Sequence, residues 1–94
     1  MNPLLERCWD ALRSVIDPEL ALDIVTLGLV YDITFAEGRV TVMHTLTTPG
    51  CPMQHVISDG IRGALGRIPS IHTVDLILVW DPGWHPGMIA PGAL

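Results

Sequence analysis

Apolar residues at Leu5, Cys8, Trp9, Leu12, Val15 and Ile16 recur every three or four positions, a spacing that gathers side chains on one face of an α-helix. Asp17-Pro18 predicts the end of that helix, because proline disfavours helical geometry in the residue before it and Asp17 can accept turn hydrogen bonds. Residues 19–28 have no sustained period and mix acids with Leu20, Leu22, Ile24, Val25 and Leu27, which predicts an ordered, partly buried loop. Leu29 to Phe35 alternates as a strand, and Arg39 to Thr47 carries the β-branched residues of a returning one. Between them Ala36-Glu37-Gly38-Arg39 reads as a hairpin in which Gly38 takes a positive φ.

A second helical period runs through Met53, Val56, Ile57, Ile61, Ala64, Leu65 and Ile68, with Pro52 suited to the first helical position. Gly60, Gly63 and Gly66 lie inside it, and each costs about 0.5–1 kcal/mol relative to alanine. Close packing on the sheet is one reason to keep them, and a partner is another. Ile71 to Trp80 predicts a third strand, with Val74, Leu76, Leu78 and Trp80 on one face and Ile77 and Val79 on the other. Val30, Met43, Ile77 and Val79 then suggest a second covered surface, most simply in a homodimer. The expected fold is α+β: an open three-stranded sheet with helices packed chiefly on one face, in the order α-β-β-α-β. Residues 1–94 read as one domain with an irregular tail from about Asp81, where Pro82, Gly83, Pro86, Gly87, Pro91 and Gly92 oppose a long final helix.

Composition narrows the function. The hydrophobic share is 49% against 16% charged, ample for a core in a chain of 94 residues and incompatible with global disorder. The formal net charge is −5, lysine is absent and the five arginines are scattered, so nucleic acid is not an expected partner. No apolar stretch approaches the roughly 20 residues that span a bilayer, and the first residues lack the basic-then-apolar pattern of a secretion signal. The expected setting is the cytoplasm, with Cys8 and Cys51 as free thiols rather than a disulfide.

Cys51 is the outstanding candidate for chemistry. It opens the second predicted helix in Thr47-Thr48-Pro49-Gly50-Cys51-Pro52, where unsatisfied amides and the helix dipole favour thiolate, the form that ligates metals and attacks electrophiles. The Thr47 and Thr48 hydroxyls could donate to that sulfur or to a bound anion. A simple helix-capping role is the alternative. Asp17, Glu19 and Asp23 could supply oxygen ligands or acceptors beside Cys51, or serve only turn formation and solvation. His55, four residues after Cys51, is placed to act as base or second ligand, or to be an ordinary surface residue. His44, His72 and His85 are more weakly placed. The chain has no Cys-x-x-Cys, no His-Glu-x-x-His and no glycine-rich phosphate loop, so it cannot enclose a tetrahedral thiolate site alone.

Three motifs then appear in order: Val15-Ile16-Asp17-Pro18-Glu19, Asp23-Ile24-Val25-Thr26-Leu27-Gly28-Leu29-Val30-Tyr31-Asp32, and Thr47-Thr48-Pro49-Gly50-Cys51-Pro52. Together they resemble the metal-sulfur cluster assembly family (domain of unknown function 59), which includes SufT-like and PaaD-like proteins. The resemblance runs from the first helix to about Trp84-His85-Pro86. It implies a role in maturing iron-sulfur proteins, with Cys51 as key residue, the acidic motif on Asp17 and Glu19, Asp23 opening the next motif, and the threonines on Thr47 and Thr48. The tail from Gly87 to Leu94 departs from the resemblance, since similar proteins often continue into a short helix there, and an altered partner surface is expected. Without the cysteine-rich C-terminal region of PaaD-like members, the chain looks more like the minimal SufT-like form.

The resulting expectation is a non-enzymatic factor in iron-sulfur cluster assembly or delivery. Cys51 would be a transient ligand for iron or a cluster, and the partners would be assembly machinery or client apoproteins. Two rivals stand beside it. One is a thiol enzyme with Cys51 as nucleophile; the other is an adaptor that binds clients through its apolar sheet face.

Overall fold

The computed structural model describes residues 3–48 and 54–92. Two helices and three strands follow one another as α1 (Pro3–Leu12), β1 (Val30–Ala36), β2 (Arg39–His44), α2 (Gln54–Gly66) and β3 (Thr73–Leu78), with a 3-10 turn at Pro86–Met88. This is the α+β order read from the sequence.

The sheet runs β1-β2-β3. Strands β1 and β2 pair antiparallel through a turn in which Glu37 and Gly38 both have positive φ (51° and 80°), matching the right-handed twist of a hairpin. Strands β2 and β3 pair parallel, with Val42 opposite Leu76 and His44 opposite Leu78. A parallel pair needs a crossover, and α2 supplies it. Val40, Val42 and His44 of β2 are buried together with Ile33, Leu29, Ile57, Ile61 and Leu65. Helix α1 adds Cys8 and Leu12 to this core.

Several boundaries differ from the sequence reading. Helix α1 stops at Leu12, not at Asp17: Arg13, Ser14 and Val15 donate to carbonyls three residues back, and the Ser14 hydroxyl takes the Ala11 carbonyl at 2.7 Å. The helix thus tightens and unwinds well before the proline. Val15 is still buried, but Ile16 turns outward at 50% exposure and bridges to Asp23. Val56 is likewise exposed, at 42%.

The second apolar surface also shrinks. A β-bulge between Val30 and Asp32 leaves Tyr31 unpaired in the ladder and puts Val30 on the buried side, at 8% exposure. The open face keeps Met43 and Ile77 side by side, among Asp32, Thr34, Arg39, Thr41, Thr73 and Asp75. The tail is irregular but anchored. Trp84 Nε1 donates to the Leu27 carbonyl at 2.7 Å, Ala90 N donates to the Thr26 carbonyl at 2.8 Å, and the Tyr31 hydroxyl donates to the Pro82 carbonyl at 2.7 Å.

Candidate functional site

In a β-α-β unit the loop leaving the first strand emerges at the carboxyl ends of the parallel pair, where open α/β sheets carry their ligands. Here that loop leaves β2 at His44 and contains Thr47, Thr48 and Cys51. The first residue of β1, Val30, stands opposite His44, so the acidic segment that feeds β1 arrives at the same end.

Backbone hydrogen bonds knit the two segments together. Ile24 N donates to the Val15 carbonyl at 2.9 Å, Leu29 N to the Ile24 carbonyl at 3.0 Å, and Thr45 N to the Leu29 carbonyl at 2.9 Å. The segment 15–29 is therefore joined through Leu29 to Thr45, two residues before Thr47.

Within the acidic segment the carboxylates act on the backbone. Asp17 is buried, and its Oδ1 accepts from Glu19 N at 2.8 Å and Leu20 N at 3.3 Å. Its backbone N donates to the Leu22 carbonyl and its carbonyl accepts from Ala21 N. Asp23 Oδ2 accepts from Thr26 N at 2.9 Å, capping the turn that ends at Gly28. Glu19 is exposed. Among the described residues, no three of His, Cys, Asp and Glu converge to hold a metal ion. The three acids thus do not form a metal cage by themselves, and for Asp17 and Asp23 the turn-forming role expected from asparagine- and aspartate-type chemistry is in place.

Thr47 is half-buried and Thr48 exposed. Cys51, with Pro49, Gly50, Pro52 and Met53, lies outside the described residues. His55 is exposed in the first turn of α2.

His44, weakly placed by its sequence context, and Thr45, which the sequence did not single out, lie at the end of β2 where the loop begins. His44 is 2% exposed, and its Nδ1 stands 3.4 Å from the Thr45 carbonyl oxygen. Burial pushes its pKa below the ordinary 6.5, a shift partly opposed by that backbone contact. Thr45 is fully buried, and its Oγ1 has no hydrogen-bond partner among the described residues. The inward alternation Val40, Val42, His44 was a signal for the first; nothing in the sequence marks the second.

Comparison with known proteins decides the family. A model described as iron-sulfur cluster assembly protein matches residues 5–76. The chain belongs to this family.

As a member of the iron-sulfur cluster assembly family, the chain is 43% identical over 82 residues to the Fe-S protein maturation auxiliary factor YitW of Bacillus subtilis, covering 86% of this chain and 80% of that protein. It is 47% identical over 77 residues to the Fe-S protein maturation auxiliary factor SufT of Staphylococcus aureus, covering 81% and 88%. A crystal structure of a DUF59 domain from Bacillus anthracis superposes with a TM-score of 0.88 at 33% identity, over 94% of this chain and 85% of that one. The stretch that matches the family model contains Asp17, Glu19, Asp23, Thr47, Thr48 and Cys51, while Trp84 and the anchored tail lie beyond it.

Proposed function

We propose that this protein is an accessory factor in iron-sulfur cluster assembly or delivery, acting in the cytoplasm, with Cys51 as a transient ligand for iron or a cluster. The observation that carries this reading is the chain of backbone bonds from Val15 through Ile24 and Leu29 to Thr45, which ties the family's acidic motif to the segment that leads to Cys51. Thiolate is the usual protein ligand of iron-sulfur clusters. The Thr47 and Thr48 hydroxyls would donate to sulfur or to the cargo, while Asp17 and Asp23 hold the neighbouring turns.

The chain has two cysteines and Cys8 is buried in the core, so ligation by Cys51 leaves most cluster positions to a second thiol source, supplied by the assembly machinery or by a client apoprotein. Incomplete coordination suits release. Cys8 is no substitute, since it is fully buried in the core and burial pushes its thiol pKa up from 9.0. It therefore serves as an internal control.

The test is anaerobic reconstitution with ferrous iron and sulfide, comparing wild type with Cys51→Ser. Wild type should develop visible absorption that Cys51→Ser loses. Equal spectra would remove Cys51 as the ligand; no absorption in either would remove the cargo. If Cys51→Ser still matures a client apoprotein at the wild-type rate, the adaptor reading takes its place.

A further inference from the structure

Helix α2 has two working faces. One buries Ile57, Ile61, Ala64 and Leu65 in the core. The other carries Val56, Asp59, Gly60 and Gly63, which with Arg67 in the turn directly after the helix and with Ser14–Ile16 line a surface groove of about 380 Å³. Val56, Asp59–Gly60 and Gly63 recur every three or four residues along α2 and so form one stripe, which Arg67 continues. Ile16 and Val56, both largely exposed, leave apolar surface uncovered along it.

The glycines of the stripe are not equivalent. A methyl added at Gly60 would lie 2.9 Å from Val15 Cγ1, so the packing within the fold itself favours glycine there. At Gly63 and Gly66 an added methyl would meet nothing within 4 Å. Among the described residues nothing asks for the missing side chain at Gly63, whereas a second helix lying close across the groove would.

Charge selects the occupant. Asp59 and Arg67 stand at opposite ends of the groove, each four residues from Gly63, and neither forms an ion pair or hydrogen bond among the described residues. A second α2 laid antiparallel, with the two-fold axis at Gly63, sets Asp59 against Arg67 of the second copy and Arg67 against Asp59 of the second copy. Parallel helices would face like with like. A uniformly basic or uniformly acidic client helix would lose at one end of the groove what it gains at the other, whereas the antiparallel second copy gains at both.

We propose that this groove is a homodimer interface in which two α2 helices cross antiparallel at Gly63 and are closed by reciprocal Asp59–Arg67 pairs. Such an isologous contact is closed and self-limiting. Helix α2 has 13 residues and is about 20 Å long. One such face falls short of the roughly 1,200–2,000 Å² of a stable interface, so the dimer is weak and concentration-dependent. Its crossing leaves the N-terminal ends of the two α2 helices at opposite ends, so each copy keeps its own β2–α2 loop for cargo.

Sedimentation equilibrium from roughly 10 μM to 1 mM, the span of weak association, tests the proposal. Wild type should pass from monomer to dimer across that range. Asp59→Arg and Arg67→Asp, each placing like charges together, should each weaken the dimer at least about tenfold, about 1.4 kcal/mol. The Asp59→Arg/Arg67→Asp double variant should restore it to within a few-fold. Circular dichroism confirms that each variant is folded. A dimer indifferent to the single reversals, or a folded double variant that fails to recover, overturns the arrangement. If wild type stays monomeric throughout, the proposal falls. Loss of binding to an added iron-sulfur apoprotein on Gly63→Leu would then assign the groove to a client.

Discussion

His44 and Thr45 share the exit of β2, and both carry polar atoms into places where water does not reach. The Thr45 hydroxyl has no partner among the described residues, a state that costs about 1–3 kcal/mol and is uncommon enough to need a reason. Its place, two residues before Thr47, puts that cost beside the proposed cargo loop. His44 gives a measurable signature. Its folded pKa lies below the ordinary 6.5 because burial disfavours the imidazolium. As the pH falls, the unfolded chain therefore takes up a proton before the folded one does, and stability must drop. The loss begins as pH falls through the unfolded value of about 6.5 and stops once the folded imidazole also protonates. Urea unfolding midpoints between about pH 7.5 and 5, above the range where most carboxylates titrate, should thus decline for wild type. They should stay nearly level for His44→Met, and an unchanged slope in that variant would show that another group titrates.

Among the elements, α2 gives the sharpest contrast, because its two groove glycines answer different demands. Gly63→Ala should raise stability by about 0.5–1 kcal/mol through helix propensity alone, measured at low concentration where the monomer dominates. At Gly60 the same gain is opposed by a methyl 2.9 Å from Val15 Cγ1, in a buried residue whose branched side chain has little freedom to move. Gly60→Ala should therefore be no better than wild type in thermal unfolding. An equal rise in both would mean that Val15 repacks freely. These elements were largely legible in the sequence: the order α-β-β-α-β follows from periods of 3.6 and 2, and Glu37-Gly38 marks its own turn. What failed was the choice between neighbours. Val56 and Ile57 sit about 100° apart on a helix, so only one faces the core, and pattern alone does not say which. The end of α1 was hidden for a different reason, since Ser14 competes locally for a helix carbonyl before Pro18 has any effect.

Across the whole molecule, the least legible feature is the return of the tail onto the acidic loop. Pro82, Trp84 and Ala90 bond to Tyr31, Leu27 and Thr26, partners more than fifty residues earlier, and no local pattern encodes such a contact. The same holds for the Leu29–Thr45 bond that joins the two halves of the candidate site. Gly28 is the hinge of this arrangement. It has a φ of 78°, and a side chain there would lie 2.6 Å from the Met88 carbonyl oxygen, so the tail can lie flat on the turn only because residue 28 has no Cβ. Asp23 caps the turn from one side, the tail covers it from the other, and Leu29 carries the result to Thr45. Trp84→Phe deletes the indole donor and leaves the Leu27 carbonyl without that bond, a loss of about 1–2 kcal/mol; Gly28→Ala should cost more, because strain and collision add. If the tail braces the loop rather than the core, hydrogen exchange should quicken at Ile24, Leu27 and Leu29 in both variants. Val42, Ile61 and Leu65 should keep their protection, because local openings need not involve the global unit. Uniform acceleration at all these amides would instead make the tail part of the one cooperative core.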